Sequence, residues 1–356
     1  MLNLKIKIYL NCFFTIDKKG FEKLKTPKIH NVEFIITIDT EADNQWDHGR
    51  ELTVENIKYI PRFQDLCNKY QIRPTYLVTS EICKDSYSIN IFREYLSYNT
   101  AEIGAHLHSW TTAPFLDKDG YKYNDSKHAF ATDLPEDLIN EKIRNLTLEI
   151  EQSFGKRPLS FRSGRFGFNK TVAKILSENS YTVDSSVTPY VSWAEKRGIH
   201  SEIGGPDFLK ATPFPFEYKF SENSLLEIPI TILPTKFPLN KNKKIAQQYF
   251  KYVPNNIILK IFRKIIFKNQ PLWLRPFPHM SIELFEELIS EAARIKLPFL
   301  VMMFHSSELM PGCSIYRSKN EDIEQLYVLL ESFFALLKEK NIKCSVLSEA
   351  AKNFIK

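Results

Sequence analysis

The sequence predicts an α/β fold, either an α/β barrel or an open parallel sheet. Three observations carry this expectation. Short apolar and β-branched runs alternate with segments of helical period, which implies parallel strands joined by crossover helices. Polar residues suited to chemistry stand just past the ends of the apolar runs, where α/β barrels place their active sites. The 356 residues include only 11 glycines and show no Gly/Ser/Pro-rich linker, repeat or low-complexity tract, which argues against several tethered modules.

The first strand is expected at Val32–Ile38, ending on Asp39. A helical pattern over Val54–Tyr70 leads to a strand at Thr75–Thr79, and another over Asp85–Tyr98 leads to a strand at Glu102–His106. Helices at Pro135–Phe154 and Lys170–Asn179 flank a strand at Leu159–Arg162. Strands at Tyr181–Ser185 and Leu225–Ile232 follow. Helix Ile282–Ile295 precedes a strand at Phe299–His305, and helix Asn320–Lys340 precedes a last strand at Lys343–Leu347. Asp39, His106, Arg162, Asp184 and His305 thus fall at the same end of five different strands, a convergence hard to attribute to chance.

A hydrophobic fraction of 43% with 13% aromatic residues is ample for a large core, and 25% charged residues is ordinary for a soluble protein. The five cysteines (Cys12, Cys67, Cys83, Cys313, Cys344) are scattered and odd in number, so they read as reduced cytosolic thiols. The apolar patch Ile8–Phe14 is short, broken by Asn11 and followed by no small-residue cleavage site, which does not read as a signal peptide. No run reaches transmembrane length. These features place residues 1–31 as an N-terminal extension and 32–356 as the barrel, with a cytoplasmic address expected.

The net charge of +6 is unevenly spread. Ten cations, from Lys236 to Arg275, and no carboxylate lie between Ile228 and Ile282, leaving −4 for the rest of the chain. This marks a basic insert at about 236–278. Within it, Ile257, Ile258, Ile261, Phe262, Ile265 and Ile266 form one helical stripe, opposite Lys260, Arg263, Lys264 and Lys268. Residues 257–268 fit either peripheral contact with the inner face of a membrane or packing of the stripe on the barrel. No nucleic-acid-binding motif accompanies the charge, so nucleic acid is not expected as a partner.

Two short segments carry the chemistry. In Thr37-Ile-Asp39-Thr-Glu41 and in Glu102-Ile-Gly-Ala-His106-Leu-His108, ligand-type side chains recur two residues apart. Strand side chains alternate faces, so Asp39 and Glu41 share one face, as do His106 and His108. Two carboxylates and two imidazoles converging at strand ends are the parts of a hydrolytic metal centre. Plainer readings stand beside this one. Glu41 serves equally well as a helix cap, Arg162 as a structural ion-pair partner, and Asp184-Ser-Ser as a turn. Asp47 and His48 form a loop pair within reach of such a metal.

The motifs resemble those of the polysaccharide deacetylase family, carbohydrate esterases of the chitooligosaccharide-deacetylase type that remove N-acetyl groups from amino sugars. Thr37-Ile-Asp39-Thr-Glu41 is similar to the first family motif and Glu102-Ile-Gly-Ala-His106 to the second. Phe161-Arg162-Ser-Gly-Arg-Phe-Gly167 is similar to the third, Asp184-Ser-Ser-Val-Thr-Pro189 to the fourth, and Phe304-His305-Ser306 to the fifth. The resemblance implies a distorted (β/α) barrel and a divalent metal, zinc first among candidates. It implies Asp39 as general base held by Arg162, and His305 as general acid supported by Asp184. Trp110, Arg165 and Phe166 are the expected substrate contacts, and Trp193 is a further aromatic suited to stacking on a sugar ring.

Two departures mark this chain. Thr40 stands where the family has a second Asp, and Trp110 where it has a second His. Glu41 and His108 are the nearest substitutes, which makes Glu41, His106 and His108 the expected metal ligands. The expected activity is hydrolysis of an N-acyl amide, acetyl foremost, on an amino sugar of a polysaccharide or of its lipid- or nucleotide-linked precursor. The altered motifs motivate a catalytically inactive carbohydrate-binding barrel as the alternative.

Overall fold

The computed structural model describes residues 32–43, 45, 52–115, 128–197, 204–236, 239–241, 244, 246, 247 and 271–355. The N-terminal extension, Asp47, His48 and the basic stripe at 257–268 lie outside the described residues.

Eight strands form one curled sheet, a half-barrel. They are β1 (Glu33–Thr40), β2 (Thr75–Val78), β3 (Glu102–Leu107), β4 (Ser160–Ser163), β5 (Val183–Asp184), β6 (Phe216–Lys219), β7 (Ser224–Glu227) and β10 (Phe299–His305). Their order is β10-β1-β2-β3-β4-β5-β7-β6, with a ninth strand, β11 (Lys343–Cys344), paired to the start of β1. All pairs in this sheet are parallel except β6 with β7. Strand β8 (Ile232–Leu233) and β9 (Leu272–Trp273) form a separate antiparallel pair, which joins the chain before the basic insert to the insert's last residues.

Among the described residues the helices include α1 (Ile60–Lys69), α2 (Ser86–Ser97), α3 (Glu136–Phe154), α4 (Lys170–Glu178), α5 (Ile282–Ile295), α6 (Asn320–Glu339) and α7 (Leu347–Ile355). Local chemistry sets several of their ends. The Asp85 carboxylate accepts from the Ser88 amide at 2.7 Å to start α2, and Asn169 accepts from the Val172 amide at 3.0 Å to start α4. Helix α3 ends on Gly155, whose φ of 72° is the left-handed stop that glycine adopts without a steric penalty.

The period-2 alternation of β1 explains how the fold builds a site. Ile35, Thr37 and Asp39 share one face. At the bottom, Ile35 packs with Val183, Leu226, Val301 and the apolar face of α7, which closes that end of the half-barrel. One step up, the Thr37 hydroxyl meets Arg162, and at the top Asp39 opens onto the cleft. The opposite face of β1 packs outward, Phe34 meeting Phe333 of α6 edge-to-face at 5.4 Å between ring centres.

Three sequence expectations shift. The strand expected at Leu225–Ile232 is broken into β7 and β8, with Pro229 between them, because a proline cannot donate to a ladder. The last strand, expected to Leu347, gives way to α7 at that residue. There the amides of Leu347 and Ser348 donate to Thr75 Oγ1 and Glu102 Oε2 at 3.0 and 3.2 Å, a cap supplied by distant strands. The first expected helix begins as a 3-10 turn over Glu55–Tyr59.

Candidate metal centre and active-site cleft

The strand ends open into one cleft of about 980 Å³. Asp39, Glu41, His106, His108, Arg165, Phe166 and His305 all line it.

Glu41, His106 and His108 come together with one ligand atom each inside a 4.8 Å cluster. The two imidazole Nε2 atoms are 3.1 Å apart, and Glu41 Oε2 lies 3.2 Å from that of His108 and 3.9 Å from that of His106. His106 Nδ1–H donates to the Arg162 carbonyl at 3.0 Å, which leaves the Nε2 lone pair facing the cluster. Burial pushes the Glu41 carboxyl up to about 8, and the same burial takes His106 down to about 4 and His108 well below its usual range. Glu41 Oε2 is buried and accepts no hydrogen bond among the described residues. A buried carboxylate oxygen with no hydrogen-bond donor, facing the Nε2 atoms of two imidazoles that burial disposes to be uncharged, is a donor set suited to a divalent cation, and three protein ligands leave a position open.

Packing holds His108 in place. Trp110 stacks on its ring at 4.5 Å with 21° between planes, and Trp110 Nε1–H donates to Gln45 Oε1 at 3.2 Å. Trp110 was expected to touch substrate. It does not line the cleft but backs the imidazole instead. On another side of His108 lies Gly164, where a Cβ would fall 2.4 Å from the ring Cδ2 and 2.7 Å from the Leu107 carbonyl. Only glycine permits that approach. Asp43, a neighbouring carboxylate, is committed elsewhere, accepting from Thr53 Oγ1 and from the Glu55 and Asn56 amides.

Asp39 occupies the centre. Arg162, fully buried, donates Nη1–H to Asp39 Oδ1 at 2.6 Å, Nη2–H to Thr37 Oγ1 at 2.8 Å and Nε–H to the Ser185 carbonyl at 2.7 Å. Burial alone would raise the Asp39 carboxyl, but the charges of Arg162, His106 and His305 hold it below its ordinary value. Its second oxygen lies 3.9 Å from His305 Nε2.

His305 is shifted the other way from the two histidines of the cluster. Burial lowers it, yet the Glu41 and Glu308 carboxylates outweigh burial and Arg275, so its net shift is upward. Glu308 Oε1 lies 3.3 Å from His305 Nδ1 and accepts from the His305 amide at 3.0 Å. Arg275 Nη2 is 2.7 Å from that same oxygen and 3.0 Å from His305 Nδ1, while Arg317 Nη1 donates to Glu308 Oε2 at 3.0 Å. When the imidazole carries both protons, Nδ1–H has only the carboxylate to donate to, because a guanidinium offers no acceptor.

Sequence reasoning assigned this supporting role to Asp184, and the structure corrects it. Asp184 accepts from the Ser186 amide and hydroxyl, both at 2.8 Å, and sits beside the buried Glu227. It shapes the turn that offers the Ser185 carbonyl to Arg162. Glu308 had a local signal, the His-x-x-Glu spacing of a capping box closing a turn after a strand. Arg275 had none. It was counted among the cations of the basic insert, whereas it is buried beneath His305 two residues after β9.

Beyond the metal cluster, Arg165 and Phe166 have φ of 53° and 61°. Two successive left-handed residues that are not glycine cost about 1–3 kcal/mol each and persist where the surroundings over-determine them. Phe166 stacks on Trp193 at 5.1 Å with 27° between planes, and both line the cleft.

No family model matches the sequence, and no curated protein matches it. Solved structures do. A candidate polysaccharide deacetylase from Mycobacterium smegmatis superposes with a TM-score of 0.54 at 13% identity, over 94% of this chain and 95% of the other. A 4-alpha-glucanotransferase from Thermococcus litoralis gives a TM-score of 0.52 at 11% identity, over 91% of this chain but 40% of that longer one. The curled parallel sheet, the chemistry at its strand ends and the near-complete overlap with the mycobacterial structure lead to one statement: this chain has the distorted (β/α) barrel fold of the polysaccharide deacetylases.

Proposed function

We propose that the protein is a metal-dependent hydrolase that removes an N-acyl group, acetyl foremost, from an amino sugar in a polysaccharide or in its lipid- or nucleotide-linked precursor. The observation that carries this reading is the Glu41, His106 and His108 cluster standing in one cleft with Asp39 and His305. The fold shared with the mycobacterial candidate deacetylase supports it.

A divalent cation held by Glu41, His106 and His108, zinc foremost, supplies stabilisation of the negative charge that develops on the acyl oxygen. The remaining work belongs to side chains. Asp39, kept ionised and oriented by Arg162, accepts a proton from the attacking water. His305, held protonated by Glu308, delivers a proton to the departing amine, which is a poor leaving group without it. Asp39 and His305 approach each other to 3.9 Å, so base and acid serve the same amide bond.

The test is metal content by mass spectrometry of purified protein, joined to acetate release from N-acetylated amino-sugar oligomers. One equivalent of metal and acetate release abolished by chelator are expected. Metal-loaded protein that releases no acyl group from any acylated amino sugar would overturn the reading. Thr40 and Trp110, where the family motifs place Asp and His, motivate the second reading, an inactive carbohydrate-binding barrel. Oligomer binding with neither metal nor acetate release would select it.

A further inference from the structure

The cleft is electrically divided. Every carboxylate that lines it, namely Asp39, Glu41, Asp43, Glu55 and Glu308, comes from β1 or from the segments that follow β1 and β10, where Arg275, which also lines the cleft, is paired with Glu308. The segments that follow β3, β4 and β5 contribute Arg165 and Lys196 and no carboxylate to the lining. Arg165 follows β4 and Lys196 follows β5, and in the sheet order β2 and β3 stand between these strands and β1, so the two charge groups enter the lining from different parts of the sheet.

The cationic side is a built surface. Left-handed backbone at Arg165 and Phe166 turns the chain just after the Arg162 strand. The Arg165 guanidinium lies 5.6 Å from the centre of the Phe130 ring. Its charge reaches the buried His108 and the Asp133 carboxylate, which is fixed by the Phe130 amide. Phe166 and Trp193 form a stacked aromatic platform, tied down by a 2.9 Å bond from Trp193 Nε1–H to Thr188 Oγ1. Lys196 is positioned on the same platform, its amide donating to the Trp193 carbonyl at 2.8 Å. Lys196 is exposed and makes no ion pair among the described residues.

We propose that this side of the cleft is a subsite for an anionic group on the amino-sugar substrate, with Arg165 and Lys196 binding its oxygens and the Phe166–Trp193 platform carrying a sugar face. An aromatic face in a lining that also carries two cations suits a sugar that bears a phosphate or a carboxylate. A neutral glycan offers Lys196 no counter-charge. The proposal rests on the deacetylase reading for which end of the ligand enters the metal centre, but binding itself requires no hydrolysis.

Calorimetry on the zinc-supplemented full chain, with three probes, tests it. N-acetylglucosamine is the neutral reference, N-acetylglucosamine 1-phosphate carries a phosphate and N-acetylmuramic acid carries a carboxylate. At least one anionic probe is expected to bind about tenfold or more tightly than the neutral sugar, a preference that shrinks as salt rises. The tighter anionic probe names the group. Lys196→Gln should remove most of the preference while leaving the neutral sugar's affinity in place, Arg165→Gln should weaken all three probes and the anionic ones most, and Arg165→Lys should retain the preference. Equal binding of all three probes, or a preference untouched by the Lys196 and Arg165 variants, overturns the subsite. A preserved preference without acetate release keeps the subsite and removes the deacetylase reading. Acetate release from neutral oligomers without any anionic preference does the reverse.

Discussion

The cleft holds two kinds of histidine, and their contrast shows how one strand-end surface separates two chemical roles. His106 and His108 sit on β3 and its exit, buried beside a stacked indole and a Glu41 carboxyl that burial raises. Burial outweighs the Asp39 carboxylate at His106, and burial with the nearby cationic groups lowers His108, so neither ring favours the charged form. His305 ends β10, three residues before a carboxylate that two arginines hold ionised. Burial lowers all three rings, most completely at His106 and His108. The difference is the charge within reach, and it decides which rings are suited to hold a metal and which to hold a proton.

The largest effect that would break this contrast lies at Asp39, which belongs to both halves. Asp39→Asn should fold, retain metal and lose roughly 10²- to 10⁴-fold in kcat. Near wild-type turnover would remove Asp39 from proton transfer. Next comes the neutral pair. His108→Ala should weaken metal binding about 100-fold or more, read by competition with a chromogenic chelator, since even outer partners of ligands are worth 10–100-fold. Unchanged affinity would take His108 out of the ligand set.

Glu308→Gln sharpens the other half. His305 is raised in the folded protein and acts only while protonated, so kcat should fall as pH rises through its raised pKa. Removing the Glu308 charge lowers that pKa, and the alkaline limb should start at lower pH. An unmoved alkaline limb would show that Glu308 does not set the acid. The smallest effect is expected at Trp110. Trp110→Phe keeps a ring against His108 and should leave metal affinity within about 2-fold, whereas Trp110→Ala should cost about 10-fold. Identical losses in the two variants would mean that stacking does not orient the ligand.

Much of the architecture was legible from one-dimensional pattern. Strand β10 and helix α5 stand where the apolar runs and helical period put them, and β1 starts and ends within two residues of expectation. Elements that depend on partners were not legible. Strand β6 is a half-exposed edge strand that exists through its pairing with β7, and α7 begins where amides find Thr75 and Glu102. Neither leaves a periodic signal of its own.

The site divides along the same line. The two-residue spacings of Asp39 with Glu41 and of His106 with His108 were readable, because alternation along a strand is a property of the backbone and holds before any tertiary contact forms. The strand-end placement of Arg162 followed from the same periodicity. What the tertiary structure alone decided is which side chain answers which. Asp184 and Glu308 are both carboxylates near the strand ends, and only folding sends one into the turn behind Arg162 and the other beneath His305. Trp110 became a wall behind a ligand, and Arg275, in sequence one more cation of a basic insert, became a buried partner of Glu308. Such pairings join residues far apart in the chain through side-chain packing, and no local spacing encodes a distance that only the closed sheet creates.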